Sequence, residues 1–392
     1  MRISVVRPDE LGPADIAAWH SMQRTTATLA NPFMSPEFAV AVGRFRPAAR
    51  VAVLTDGPSI AGFFPFERQR LRVGVPIGGG LNYCQGLVHA PGVEWVPREL
   101  LRACDLSVWQ FDHLAQGQRP FEHYRTTIAP SPVIDLADGF ESYHQKLRVK
   151  SPKFVKEIER KARKLAREAG ELRLVADSRD ADALQSLMAW KSNQYRRTGR
   201  MDRLAKPWIV GLIDDLFATC NSHFSGLLSV LYAGDVPVAA DFGLRSGHVL
   251  AGWFTGYDTR FSKTSPGLIL HLRLGEAVAG SGVRLIDMAK GAKDYKETLK
   301  NGDIFVGEGM VTGRSALALA HRAYITPGPW AVRKVMQHPP LFRAADQVLQ
   351  KYGRLRSSLR SPANFADSSK SAGRPPGQHA PSIPPAPPDR TT

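Results

Sequence analysis

The segment RLIDMAKGAKDYKETLKNGD, residues 284–303, sets a short apolar run against a dense group of ionisable side chains. Asp287 ends the run, and Tyr295 and Lys296 follow closely. A carboxylate at a strand end beside a cleft either takes a proton from an incoming amine or caps the next turn. The sequence leaves both roles open. Lys296 is suited to an anion or an acceptor, whereas Lys290 reads as a solvated loop charge. Lys191, Gln194 and Tyr195 lie three and four residues apart and share one helix face. Lys191 and Tyr195 therefore line a cleft, or they belong to a half-buried amphipathic helix with a snorkelling lysine. Asp241 stands among Ala239, Ala240 and Phe242. A charge in so apolar a strand is an inward site residue or simply the outward face of the alternation. Trp253 and Tyr257, on the next strand and its exit, would be its neighbours.

Other chemistries lack support. The 11 histidines are scattered without an HxxxH or HxH pair, so no metal site is expected. No GxSxG nucleophile motif occurs. GGGLNY at 78–83 is not followed by the helix that a dinucleotide fingerprint requires. Three cysteines without CxxC spacing argue against a disulfide framework and fit a reduced, cytoplasmic setting. The opening MRISVVRPDELGPADIAAWH has no apolar stretch of signal-peptide type, and no run approaches the about 20 apolar residues of a membrane span. The formal net charge of +16 attracts anions: a phosphorylated cofactor, a nucleic acid or an anionic bilayer. A basic, Arg-rich proteome is the plain alternative.

The elements that must hold these residues follow from pattern. With 392 residues, 43% of them hydrophobic, the chain can bury a sizeable core in two domains or one large one. The first 140 or so residues mix strands and helices, including a hairpin around Asp56-Gly57. Residues 141–170 read as one basic helical linker, with ten Lys/Arg and two Glu between Lys146 and Arg167. Its surface suits RNA or an anionic bilayer, and a solvated linker is the plainer reading. Residues 171–315 then run strand, helix, helix, three meandering strands, loop, helix, strand, helix. GEGMVTG, near residue 310, is expected to close this sheet. C-terminal helices are expected over 316–360 and a disordered Pro/Ser-rich tail over 361–392.

Four stretches in this order, AWKSNQYRRTGRMDRL (189–204), GDVPVAADFGL (234–244), WFTGYDTRFSKTSPG (253–267) and IDMAKGAKDYKETL (286–299), resemble the CelD-type acetyltransferase-like family of cellulose and exopolysaccharide biosynthesis. VPIGGGLNYCQGLV (75–88) adds to the likeness, which spans roughly residues 40–310. That family belongs to the GNAT acyl-CoA N-acyltransferase superfamily and is related to Fem-type aminoacyltransferases, which carry two GNAT-like halves. The resemblance implies an α/β (α+β) fold of two GNAT-like lobes, each a mixed, mostly antiparallel sheet flanked by helices. The lobe over 1–140 would be degenerate and the one over 171–315 catalytic.

The resemblance also implies roles. The donor would be acetyl-CoA or another acyl-CoA, with no metal. Its pyrophosphate would sit at the helix start after the meander, where free N–H groups and the helix dipole favour an anion. The usual Gln/Arg-x-x-Gly-x-Gly/Ala word is absent there, and Arg260, Lys263, Ser265 and Gly267 offer cations and a hydroxyl instead, with Lys296 as a further phosphate contact. Asp287 would be the base and Tyr295 the acid for the leaving thiolate. Lys191, Tyr195, Asp241, Trp253 and Tyr257 would bind the acceptor. The expected activity is acyl transfer to an amine or hydroxyl of a sugar-type acceptor, in polysaccharide or envelope biosynthesis. A tRNA-dependent Fem-type transferase and a non-catalytic GNAT-shaped scaffold are the alternatives. The acceptor's identity and the oligomeric state are not legible.

Overall fold

The computed structural model describes residues 1–291, 293–314, 318 and 321. The expected C-terminal helices and tail lie outside the described residues, apart from positions 318 and 321.

The chain opens with strand β1 (Arg2–Val6), helices α1 (Pro13–Thr25) and α2 (Pro36–Phe45), and the hairpin β2 (Ala49–Asp56) and β3 (Ser59–Arg68). Gly57 takes the positive φ that this tight turn needs. Then come β4 (Val73–Pro76), β5 (Val88–His89), α3 (Pro97–Ala103), β6 (Val108–Leu114) and β7 (Arg125–Asp135). Two basic helices follow, α4 (Gly139–Lys150) and α5 (Pro152–Ala169). The single helical segment expected here breaks at Ser151-Pro152, because proline disfavours helical backbone in the residue before it. Next are β8 (Leu172–Ser178), α6 (Ala181–Arg197), α7 (Pro207–Ala218) and the meander β9 (Phe224–Ala233), β10 (Val236–Ser246) and β11 (Val249–Tyr257). The described chain ends with α8 (Pro266–Ala279), β12 (Leu285–Asp287), α9 (Asp294–Leu299) and β13 (Gly302–Thr312). Proline stands at the first turn of α1, α2, α3, α5, α7 and α8, where its missing N–H costs nothing.

Each half of the chain contributes a mostly antiparallel half-sheet flanked by helices, and the two half-sheets join. The strand order is β1-β2-β3-β4-β6-β13-β7-β12-β11-β10-β9-β8, with β5 beside β3. Among the described strands only the β4–β6 and β11–β12 pairs run parallel. The junction is interleaved. β13, at the end of the stretch read as the second lobe, pairs with β6 and β7 of the first. β7 in turn pairs with β12 of the second.

Period-2 alternation then decides the packing. Leu228 and Val230 of β9 face one core, while Leu227 and Leu231 face another. The first core runs across both halves. Trp19, Phe38 and Phe63 of the first share it with Leu187, Ile209 and Phe242 of the second. On the opposite sheet face, α4, α5 and α8 cover the second half and α3 covers the first.

The junction has no spare room at Gly309. A Cβ added there would meet the Tyr124 carbonyl oxygen at 2.1 Å and Phe111 Cζ at 2.8 Å. Gly309→Ala is therefore expected to destabilise the fold by about 1–3 kcal/mol through overpacking. Denaturant melts of the two proteins measure it, and an unchanged midpoint would show that the junction yields freely.

Candidate active site

β11 and β12 pair over only three positions, from Val249–Leu285 to Ala251–Asp287. β12 then stops. The Met288 N–H turns toward β7 and donates to the Pro132 carbonyl at 3.0 Å, and Ala289 takes a left-handed φ of 63°. β11 continues to Tyr257 without a strand on that side among the described residues. The parting strands open a cleft of about 1240 Å³. Gly252, Trp253, Thr255 and Tyr257 of β11 line it. Phe242 pairs with Phe254 and Gly243 with Gly252, so Trp253 is the extra residue of a bulge, a device that re-aims a side chain. Its indole N–H donates to the Leu81 carbonyl of the first half at 3.0 Å.

Ionisable groups meet in the cleft. Asp241 lies directly across from Thr255, whose hydroxyl donates to Asp241 Oδ2 at 2.5 Å. Burial pushes the Asp241 carboxyl up, against the pull of His271, Thr255 and Lys191. His271 of α8 stacks on Tyr295 with centroids 5.6 Å apart. Burial lowers the His271 imidazolium and keeps the ring neutral at neutral pH. Burial, helped by the Asp241 charge, raises the Tyr295 phenol to about 12. Lys191 Nζ donates to the Thr255 carbonyl at 3.1 Å and lies 5.5 Å from the centre of the Tyr195 ring. Lys296 Nζ donates to the Ala289 carbonyl at 2.8 Å. Burial and the charge of Lys293 bring both ammonium groups down to about 8. A carboxyl raised by burial beside a neutral imidazole is suited to take protons near neutral pH.

Of the expected residues, the cleft gathers Lys191, Tyr195, Asp241, Trp253, Tyr257, Ser265, Gly267, Tyr295 and Lys296 along its lining. Three others lie elsewhere. Asp287 is 2% exposed and is not among the lining residues. Its Oδ1 accepts from the Ser131 hydroxyl and the Ala289 N–H, both at 2.9 Å, and its Oδ2 from the Asn31 amide at 3.1 Å. It faces the junction because it stands one residue from Ile286 and Met288, which face the cleft. Arg260 lies on the surface, with its guanidinium held by Asp258 at 2.6 Å. Lys263 is exposed and also off the lining. Lys290, read as a solvated charge, is instead tied to Glu308 of β13 at 2.5 Å and to the Asp112 carbonyl at 2.8 Å.

The start of α8 offers a phosphate a small set of donors. Pro266 has no N–H, and the Leu268 and Ile269 N–H groups both go to the Ser265 carbonyl. The Gly267 N–H has no partner among the described residues, and Gly267 lines the cleft. The Ser265 hydroxyl also lines it and accepts from Lys161 Nζ at 3.0 Å. One amide, one hydroxyl and one cation fit a single phosphoryl group of an acyl-CoA.

Sequence reasoning missed Lys161, Thr255, His271, Tyr83, His113, Arg200, Arg203 and Lys293. Lys161 had a signal, since it stands three residues after Ile158 of the α5 apolar stripe. His271 had one too, as the polar interruption of LILHLRL. Thr255 follows only from the β10–β11 register. Tyr83 and His113, tilted together at 5.4 Å, reach the cleft only because the two halves join.

Two stability outcomes follow. Asp287→Ala orphans three donors at about 1–3 kcal/mol each, so a loss of about 3 kcal/mol or more is expected in denaturant melts. Lys191 and Lys296 fall to about 8 from an unfolded value of 10.5. Between these values the unfolded chain binds more protons, so their contribution to stability grows as pH rises through that window. The double variant Lys191→Met/Lys296→Met is expected to flatten the pH dependence of the melting midpoint there.

Residues 152–297 match the model of the acetyltransferase (GNAT) domain. No curated protein matches the chain. Among solved structures, FemX superposes with a TM-score of 0.51 at 9% identity, over 79% of this chain and 96% of FemX. L-PGS from Bacillus licheniformis gives 0.48 at 13% identity, over 79% and 96%. A tandem GNAT protein from the clavulanic acid biosynthesis pathway gives 0.43 at 13%, over 80% and 99%. The FemX likeness bears on fold alone. The matched residues 152–297 form an acyltransferase domain of GNAT type.

Proposed function

We propose that the chain transfers an acyl group, acetyl in the simplest case, from an acyl-CoA to an amine or hydroxyl of a sugar-type acceptor in the cleft between β11 and β12. The observation that carries this reading is the buried Asp241, flanked by His271 and Tyr295 where the strands part. Asp241 takes the proton released as the acceptor attacks, and the Thr255 hydroxyl orients the carboxylate. Tyr295 supplies a proton at the departing group. Lys191, a cation at the free edge of β11, offsets negative charge developing beside the Thr255 carbonyl. Ser265 and the Gly267 N–H hold a donor phosphate, with Lys161 behind them. When bound, the acyl-CoA supplies the thioester carbonyl and the thiol. Tyr83, Tyr195 and Trp253 give a sugar ring apolar faces to rest on.

A polysaccharide or envelope acceptor and a cytoplasmic setting accompany this reading. The three cysteines are free, two of them buried, as a reduced compartment allows. The described residues include no helix long and apolar enough to cross a membrane.

A second reading, Fem-type transfer from an aminoacyl-tRNA, is favoured by the start of α8, where among the described residues one lining amide is left without a partner, a thin cradle for a pyrophosphate. Co-purifying RNA released by salt would select it, because phosphate contacts are salt-dependent.

In acetyl-CoA turnover assays with amino-sugar acceptors, Asp241→Asn and Tyr295→Phe are each expected to lower kcat by about 100-fold or more. Full activity in both variants would remove them from the mechanism, while Asp287→Asn is expected to act through stability rather than through the pH profile.

A further inference from the structure

The cleft passes between two faces of the sheet. α8, whose start carries Ser265 and Gly267, covers one face. α6, with the segment that follows it, covers the other. On this second side Arg200 and Arg203 line the cleft, and Lys293 enters from the segment between β12 and α9. None of the three has an ion-pair partner among the described residues. Arg203 spends one N–H on the Gly80 carbonyl at 3.2 Å. Asp202, the nearest carboxylate in sequence, is already used by the Ser192 hydroxyl and the Leu204 N–H. Asp294 also lines the cleft and has no ion-pair partner among the described residues.

Elsewhere several cations have carboxylate partners. Arg160 sits on Glu157 at 2.8 Å, Arg148 on Glu159 at 3.1 Å, and Lys300 on Asp303 at 3.0 Å. In the cleft, cations crowd together instead. Partial burial and the Arg200 charge lower the Lys293 ammonium, and the Lys293 charge in turn weighs on Lys191 and Lys296. Like charges held together in a concave site raise the affinity for a multivalent anion, since one ligand relieves several repulsions at once.

Resting on the acyltransferase reading above, we infer that the acceptor is a phosphate ester, its phosphoryl group seated between Arg200, Arg203 and Lys293 on the α6 side of the cleft. The ring that bears the phosphate then lies against Tyr195 and Tyr83, with its reacting amine or hydroxyl toward Asp241. Soluble sugar phosphates and lipid phosphate headgroups share this chemistry.

Calorimetric titration of the full chain with glucose 1-phosphate, with glucose, and with phosphatidic acid vesicles separates the sources. A phosphate ester, soluble or in the vesicle, is expected to bind while glucose does not. Arg200→Gln/Lys293→Gln is expected to weaken binding by about tenfold or more. Lys153→Gln/Lys156→Gln, on the exposed face of α5, is expected to leave it unchanged. Saturating CoA is also expected to leave it unchanged. Binding abolished by CoA would assign these cations to the donor and overturn the inference. Equal loss in both double variants would reduce it to bulk charge and overturn it too. A chain that binds the phosphate ester but turns over no thioester would fail the donor reading and leave this site standing.

Discussion

One buried carboxylate organises the middle of this protein. Asp287 is reached by the Asn31 amide from the loop after α1, by the Ser131 hydroxyl from β7 and by the N–H of the turn that follows it. These donors come from both halves of the chain. A buried carboxylate is tolerated only with such satisfaction, so the halves must dock in one arrangement for the charge to be housed. The interleaving of β13 and β7 carries the same constraint in backbone form, since neither half completes its sheet without a strand from the other.

The cleft is a consequence of that tie. Because β12 ends at Asp287 and its next residues turn to β7, β11 is left with an open edge. A strand edge inside a protein is an unsatisfied surface, and here part of it is met by Lys191, whose ammonium bonds the Thr255 carbonyl. The residues on this edge then sit beside Asp241, His271 and Tyr295 in a partly desolvated space. Desolvation disfavours the charged forms, which is why a carboxyl is raised, an imidazole kept neutral and two lysines, with Lys293 nearby, brought down to about 8 in one cleft.

The basic segment after the first half also gains a place. Most of α5 is a solvated cationic face with local Glu partners. Its apolar stripe of Val155, Ile158 and Leu165 packs into the core around α8, and this brings Lys161 to Ser265. A helix read as a linker thus reaches the start of α8, beside the cleft, through one residue.

Local chemistry was legible from the sequence alone. Asp56-Gly57 marked the hairpin, and the strand-helix order of residues 171–300 pointed to the acyltransferase fold. Lys191, Tyr195, Asp241, Trp253 and Tyr295, which line the cleft, stood out in the sequence because each is an ionisable or aromatic residue at a conspicuous place in a periodic pattern. Periodicity tells which side chains share a face, but not which side of the sheet an absent partner occupies. The strand-end position of Asp287 left it open as a base or as a cap of the next turn, while the register with β7 turned it into the junction and left Asp241 at the cleft. Arg260 shows the same limit, since a cation near a helix start is drawn to the closest carboxylate, here Asp258. Tyr83 and His113 lie far from the motif in sequence, and only the joining of the two half-sheets brings them to it. Hydrophobic pattern and turn residues act over a few positions and so determine elements; contacts across long separations depend on how the elements pack, and these decided the site.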